Sequence, residues 1–309
     1  MARVVAVFGG GGAKSLACLG AWKALTEAGL TPSHLVGTSM GAVIAAACAS
    51  GATYDETVIA ARSLSQRDVA RVDPLALVKG AFASHLLKPA GLRRAIERFV
   101  PATRFDQLRI PLTVTTTDLD SGELVLFGPH TGPHPLSPSP LRGEGGRSEG
   151  SAVGLHEALY ASCALSLYFP PAVINGRRLA DGGLRAVLAL DVARRIPADL
   201  VVAIHVGPGF DEPPPPPSTA LHRLLPPPLI RAHGEAIRIM MAAQTEGAIA
   251  DWPTNAPQLV VVRAVAEREA TFAADAGERF LKAGYDATTR ALGDRLDAQT
   301  HRRAGENSV

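Results

Sequence analysis

Residues 34–51 read HLVGTSMGAVIAAACASG, and this stretch decides the fold. An apolar approach (Leu35, Val36) enters Gly37-Thr38-Ser39-Met40-Gly41, and an Ala-rich helical run leaves it. Strand, G-x-S-x-G and helix in that order form the context in which a serine becomes a nucleophile. The turn leaves little room for side chains around the serine, which accounts for Gly37 and Gly41. It also turns the hydroxyl outward, beside the N-terminus of the next helix, where negative charge is favoured. The expectation is a serine hydrolase.

On either side of this stretch, strand and helix signals alternate. Arg3–Phe8 reads as a continuous apolar strand, and residues 13–28 carry helical spacing that stops at Gly29. The elbow helix covers 42–49, and further helices are expected over 55–64, 74–78, 90–99 and 156–163. Ile110–Asp118 is a strand, and a Ser-Gly turn joins it to Leu124–Phe127 as a hairpin. Residues 200–206 and 259–263 add two more buried strands. Apolar strands alternating with helices predict an α/β layered domain.

Two later helices complete the pattern. Residues 229–250 carry an apolar stripe (Ile230, Ile237, Met241, Ala248) that reads as core-facing, and 269–298 form a C-terminal helix expected to break or weaken near Gly284. Pro129–Gly150 holds five Pro and five Gly with Leu136 and Leu141 as its strongly apolar residues, so it is expected to be a disordered surface insertion. Phe210–Pro228 is polyproline and reads as a stiff spacer. The expected organisation is one domain over residues 1–300, carrying those two segments, with a polar tail at 301–309.

The chain has 309 residues, 47% hydrophobic and 19% charged, which suits a globular protein with a full core. A net charge of +2 gives no electrostatic case for a nucleic-acid partner, although transient contact with a lipid surface stays open. Cys18, Cys48 and Cys163 are odd in number and form no C-x-x-C, so they read as small packing residues rather than disulfide or zinc ligands. MARVVAVFGGGG breaks into glycines too early for a secretory signal, and no run approaches the ~18 apolar residues of a membrane span. A cytoplasmic location is expected.

Two companions strengthen the elbow. The first is Phe8-Gly9-Gly10-Gly11-Gly12-Ala13-Lys14, between the first strand and the first helix. Consecutive glycines leave backbone N–H groups uncovered, able to converge on the oxyanion that acyl transfer creates. The Met40 N–H is a second source of donors, and Lys14 adds positive charge. A nucleotide loop is the competing reading, but the spacing fits neither G-x-x-x-x-G-K-[ST] nor G-x-G-x-x-G. The second companion is Leu179-Ala180-Asp181-Gly182-Gly183. Seen alone it is a turn of D-G type. If Asp181 meets Ser39, it supplies the base the serine needs, and no histidine is required.

Taken together and in this order, Gly10-Gly11-Gly12-Ala13-Lys14, Gly37-Thr38-Ser39-Met40-Gly41 and Asp181-Gly182-Gly183 resemble the patatin-like phospholipase family, in its bacterial type. Gly20–Leu25, Pro111–Phe127 and Ala161–Pro171 resemble the family's surrounding text, and the likeness spans about residues 3–206. The resemblance implies a three-layer α/β/α fold with a mostly parallel central sheet. It implies a Ser–Asp dyad, with Ser39 as nucleophile and Asp181 as general base, and an oxyanion hole at Gly10, Gly11 and Gly12. It further implies an acyl-lipid or ester substrate, and neither metal nor organic cofactor.

The match has departures. Ser15 stands where the family has glycine and is expected to narrow the oxyanion loop. Ser166 replaces a proline, and Ala186 and Ala189 stand where asparagine and proline are common, which is expected to remove support beneath Asp181. These departures motivate a rival reading, a weak or inactive relative that binds acyl lipid or a partner. Another is a Ser-His-Asp hydrolase using His205, His222 or His233. His205 within its strand reads as packing. Asp118 and Asp120 read as structural.

Overall fold

In the computed structural model, residues 2–63, 69, 71–79, 83–129, 153–210, 228–265 and 276–306 are described. The strands are β1 (Val4–Phe8), β2 (His34–Thr38), β3 (Leu112–Asp118), β4 (Leu124–Phe127), β5 (Ala172–Ile174), β6 (Arg177–Asp181), β7 (Leu200–His205) and β8 (Gln258–Arg263). The helices are α1 (Leu16–Glu27), α2 (Met40–Ala49), α3 (Tyr54–Arg62), α4 (Pro74–Lys79), α5 (Pro89–Phe99), α6 (Leu155–Cys163), α7 (Gly183–Ala186), α8 (Leu190–Ala193), α9 (Pro228–Ala250) and α10 (Gly277–Glu306). A 3-10 turn at Gly12–Ser15 links β1 to α1.

The strands form one sheet in the order β5-β6-β3-β2-β1-β7-β8, with β4 also paired to β3. Neighbours from β3 through β2, β1 and β7 to β8 run parallel, while β4, β5 and β6 add antiparallel pairs. The central strands β1, β2 and β7 are buried along their whole length because both faces of the sheet are covered there. Val4, Ala6, Phe8, Val202 and Ile204 pack with residues of α1, α2, α5, α6 and α10. Val5, Val7, Val201 and Ala203 pack on the other face against α8 and, partly buried, Ala248 and Ile249 at the end of α9 and Trp252 just after it. The result is a three-layer α/β/α fold with a mostly parallel centre.

Cys18, Cys48 and Cys163 are buried free thiols. The hairpin expected at Leu124–Phe127 is present in register, with Thr116 opposite Val125. The insertion expected at 129–150 and the polyproline segment at 210–228 lie almost wholly outside the described residues. Among the described residues no helix is long and apolar enough to cross a membrane.

The C-terminal helix differs from expectation in two ways. It runs unbroken through Gly284 and continues through residues 301–306, which were expected in the tail. Gly284 is a crossing point rather than a break. A Cβ there would stand 1.9 Å from the Ala17 carbonyl oxygen, and one on Gly20 would stand 1.9 Å from that of Leu281. The two glycines let α1 and α10 approach backbone to backbone.

Gly20→Ala should therefore destabilise the protein by about 2–3 kcal/mol or more, because the obstacle is backbone and cannot swing aside. Gly247→Ala, on an exposed turn of α9 where a Cβ meets nothing within 4 Å, should instead stabilise by about 0.5–1 kcal/mol. Urea midpoints of the two variants against the parent protein check both signs.

Candidate active site

Two strands run toward each other along β3 and stop at adjacent rungs. β2 ends with Thr38 opposite Thr115, and β6 ends with Asp181 opposite Thr116. This register brings together side chains separated by 142 positions: the Ser39 hydroxyl donates to Asp181 Oδ2 at 2.6 Å. The length is that of a hydroxyl bonded to a carboxylate.

The elbow's glycines have specific causes. A Cβ on Gly37 would stand 2.4 Å from Ala42 Cα, where α2 folds back over β2. A Cβ on Gly41 would stand 2.4 Å from the Gly9 carbonyl oxygen at the end of β1. Ser39 between them has φ 54 and ψ −135. Such a conformation in a non-glycine residue costs about 1–3 kcal/mol and needs outside support. The Ser39 N–H donates to Ser162 Oγ at 2.8 Å, and its carbonyl accepts from Ala42 N at 2.8 Å as α2 begins.

Asp181 is buried, and each of its carboxylate oxygens meets a donor. Oδ2 accepts from Ser39, and Oδ1 accepts from Gly183 N at 2.7 Å. Burial pushes its pKa up from 3.8 to about 6, against the lowering pull of those two hydrogen bonds. The backbone here is clamped as well. Thr117 Oγ1 donates to the Asp181 carbonyl at 2.9 Å, and a Cβ on Gly182 would stand 2.5 Å from the Thr115 carbonyl oxygen. Beneath the elbow, Thr38 Oγ1 reaches Thr115 Oγ1 at 2.8 Å and donates to the Ala186 carbonyl at 2.9 Å.

The glycine run divides into two parts. Gly9 N–H donates to the Ile204 carbonyl at 3.1 Å, and Gly10 N–H to that of Val187 at 3.0 Å. Gly10 still lines the site, since a Cβ on it would stand 3.2 Å from Ser39 Cβ. Its amide, however, is committed to Val187, which corrects the expectation that it contributes a donor to the oxyanion hole. Among the described residues the amides of Gly11, Gly12 and Met40 donate to nothing, and all three residues are partly exposed. Lys14 is buried, and its charge helps depress the His205 pKa to about 4, behind burial and the Arg263 charge as causes. Ser15 does not narrow the loop, for it is buried with its hydroxyl donating to the Gly9 carbonyl at 3.3 Å.

No histidine bonds to Ser39 or Asp181 among the described residues. His205 is buried on β7 and its Nε2 has no hydrogen-bond partner there, and His222 lies outside the described residues. Asp118 caps the β3–β4 turn through Asp120 N at 2.8 Å and accepts from Arg177 Nε at 2.7 Å. Among the described residues no group of three or more His, Cys, Asp or Glu could hold a metal ion. The motif reading missed Thr38, Thr115, Thr117 and the contact made by Ser162. The one signal for Thr115 and Thr117 was an unusually hydroxyl-rich strand, Leu112–Asp118, inside a buried sheet.

A partly exposed serine hydrogen-bonded to a buried carboxylate at a strand–helix elbow, with uncommitted amides at Met40 and in the glycine loop, is an arrangement suited to nucleophilic acyl transfer. A family model described as patatin-like phospholipase matches residues 6–194, more than half of the chain, and the chain belongs to that family. An uncharacterized NTE family protein of Mycobacterium tuberculosis is 32% identical over 203 residues, which are 65% of this chain and 48% of that protein. Patatin-like phospholipase domain-containing protein 7 of Mus musculus is 29% identical over 206 residues, 66% of this chain and 14% of that protein. The chain thus spans about half the length of the mycobacterial relative. Among solved structures, VipD from Legionella pneumophila has a TM-score of 0.46 at 14% identity, covering 95% of this chain and 67% of VipD. The type III effector protein ExoU has a TM-score of 0.44 at 14% identity, covering 95% of this chain and 53% of ExoU.

The raised carboxyl has a stability signature. The folded protein holds the Asp181 proton up to about pH 6, whereas the unfolded chain releases it near 3.8, so stability falls as pH rises through that window. Asp181→Asn removes the titration. The unfolding free energy of the variant minus that of the parent should grow by about 2 kcal/mol from pH 4 to pH 7.5. Urea melts at both values measure it, and the comparison across pH cancels whatever the amide itself does to packing.

Proposed function

We propose that the chain is a serine lipid acyl hydrolase that cleaves carboxylic esters of acyl lipids, phospholipids among them, through an acyl-enzyme on Ser39. The observation that carries this reading is the 2.6 Å hydrogen bond from Ser39 to Asp181 beside uncommitted amides. Family membership supports the lipid-ester class.

Ser39 Oγ attacks the ester carbonyl carbon, and its proton passes to Asp181. A carboxylate poised near neutrality accepts that proton more readily than an ordinary one, yet stays ionised at pH 7. The carbonyl oxygen becomes an oxyanion and is met by the N–H groups of Gly11, Gly12 and Met40, each worth about 3 kcal/mol to the transition state when well aimed. The N-terminus of α2 adds to the same field. Collapse of the tetrahedral intermediate breaks the ester C–O bond, and Asp181 returns the proton to the departing alcohol. Water then attacks the acyl-serine, Asp181 takes its proton, and the second intermediate releases the fatty acid and restores Ser39.

The reading needs neither metal nor organic cofactor. It places the enzyme in the cytoplasm, touching lipid surfaces transiently to collect substrate. It treats residues 1–300 as one domain.

Ser39→Ala and Asp181→Asn should each lower kcat on a short-chain ester by about 10³-fold or more, with KM little changed. A fluorophosphonate probe should label the parent protein at Ser39. Absence of labelling on the folded protein would favour the lipid- or partner-binding alternative. With parent protein, kcat/KM should rise with pH through about 6 and then level, because the base works only when ionised.

A further inference from the structure

The strained elbow needs a reason to stay strained, and the last turn of α6 supplies one. Ser162 is fully buried on that turn. Its Oγ accepts the Ser39 N–H at 2.8 Å. From the same turn, the Ser162 carbonyl accepts from Gly182 N at 3.4 Å and the Ala164 carbonyl accepts from Asp181 N at 3.1 Å. One piece of backbone therefore grips the nucleophile from β2 and the base from β6. Two of its three links are made by carbonyls, which any residue would provide. The link to Ser39 alone depends on a side chain.

We propose that Ser162 is a positioning residue, whose hydroxyl oxygen holds the Ser39 N–H and thereby fixes the nucleophile at hydrogen-bonding distance from Asp181. Without that acceptor the Ser39 N–H, directed at the fully buried Ser162, is left unpaired, an unfavourable state that the backbone relieves by turning. Ser39 already sits at φ 54, so relaxation has somewhere to go. As Ser39 turns, Oγ leaves Asp181. The site then loses both its preorganised proton transfer and one of the two hydrogen bonds that hold the carboxyl's pKa down. A residue that merely filled space would produce neither effect. This proposal rests on the hydrolase reading for its kinetic consequences, but its structural core is independent of that reading.

The test compares Ser162→Ala with Ser162→Thr, which keeps an oxygen at the same position, and with Ser162→Cys, which offers a poorer acceptor of similar shape. In Ser162→Ala, hydrogen exchange at the Ser39 amide should speed up at least tenfold, while Asp181 and Gly182, whose acceptors are backbone carbonyls, keep their protection. Ser162→Thr should restore protection, and Ser162→Cys should fall between. In kinetics on a soluble short-chain ester, Ser162→Ala should lower kcat by about 10–100-fold with KM within twofold, and move the acid limb of the pH profile upward. Fluorophosphonate inactivation should slow in step. Unchanged Ser39 exchange in Ser162→Ala, or in Ser162→Cys if the alanine variant does not fold, would overturn the proposal. A parent protein that neither turns over ester nor labels would overturn the hydrolase reading instead, and the exchange experiment would still decide the role of Ser162.

Discussion

The register of β6 against β3 is the constraint on which the site rests. Side chains alternate faces along a strand, so a slip of one residue would carry Asp181 to the opposite side of the sheet from Ser39. Several contacts oppose that slip. Thr117 Oγ1 holds the Asp181 carbonyl, Asp181 N is tied to the Ala164 carbonyl, and Gly182 fits against the Thr115 carbonyl too closely for any larger residue. At the other end of β6, Arg177 pairs with Asp118 at the end of β3. The strand is pinned at both ends, although it is only five residues long.

Within that frame, the energetics of the site pull in opposite directions. A carboxylate deprived of water rises in pKa until it would rather be neutral, and a neutral acid cannot act as base. Donors from Ser39 and Gly183 bring it back, and the balance falls at about 6. More donors would produce an ordinary, weakly basic carboxylate. Fewer would leave it protonated at working pH. Ser39 shows the same tension in its backbone. Its positive-φ conformation is unfavourable for any residue with a side chain, and the close approach of α2, β1 and α6 holds it there.

How much of this was legible in the sequence follows from the range of each interaction. The elbow and the longer apolar strands were plain, because apolar runs and the G-x-S-x-G turn are local, whereas the three-residue β5 was not read. Asp181 was identified by resemblance, since nothing in Leu179–Gly183 alone reveals what lies opposite it. The division of labour within the glycine run was hidden. Gly10 and Gly11 look alike in sequence, and only the Val187 carbonyl, far along the chain, separates a committed amide from an available one. Gly284 misled for the same reason. Glycine signals a weak helix when its surroundings are unknown and a close helix crossing when they are known. Ser162 stood in a stretch noted for resemblance, but its hydrogen bond to a backbone amide 123 positions away leaves no local trace.

The same contacts bear on the departures from the family pattern. Loss of asparagine and proline after Asp-Gly-Gly was expected to leave the segment beneath Asp181 poorly supported. That segment, α7 and the residues after it, is held by other means. The Ala186 carbonyl accepts from Thr38 Oγ1, the Leu184 carbonyl accepts from Gln244 Nε2 on α9 at 3.1 Å, and the Val187 carbonyl accepts from Gly10. These acceptors are backbone, so alanine at 186 and 189 forfeits none of them. The donors come from the elbow strand, from α9 and from the glycine loop. Ser15 makes a parallel case, since its hydroxyl turns inward to the Gly9 carbonyl rather than into the anion site. Where a one-dimensional comparison shows support missing beneath Asp181, the fold supplies backbone hydrogen bonds from a strand, a helix and a loop elsewhere in the chain.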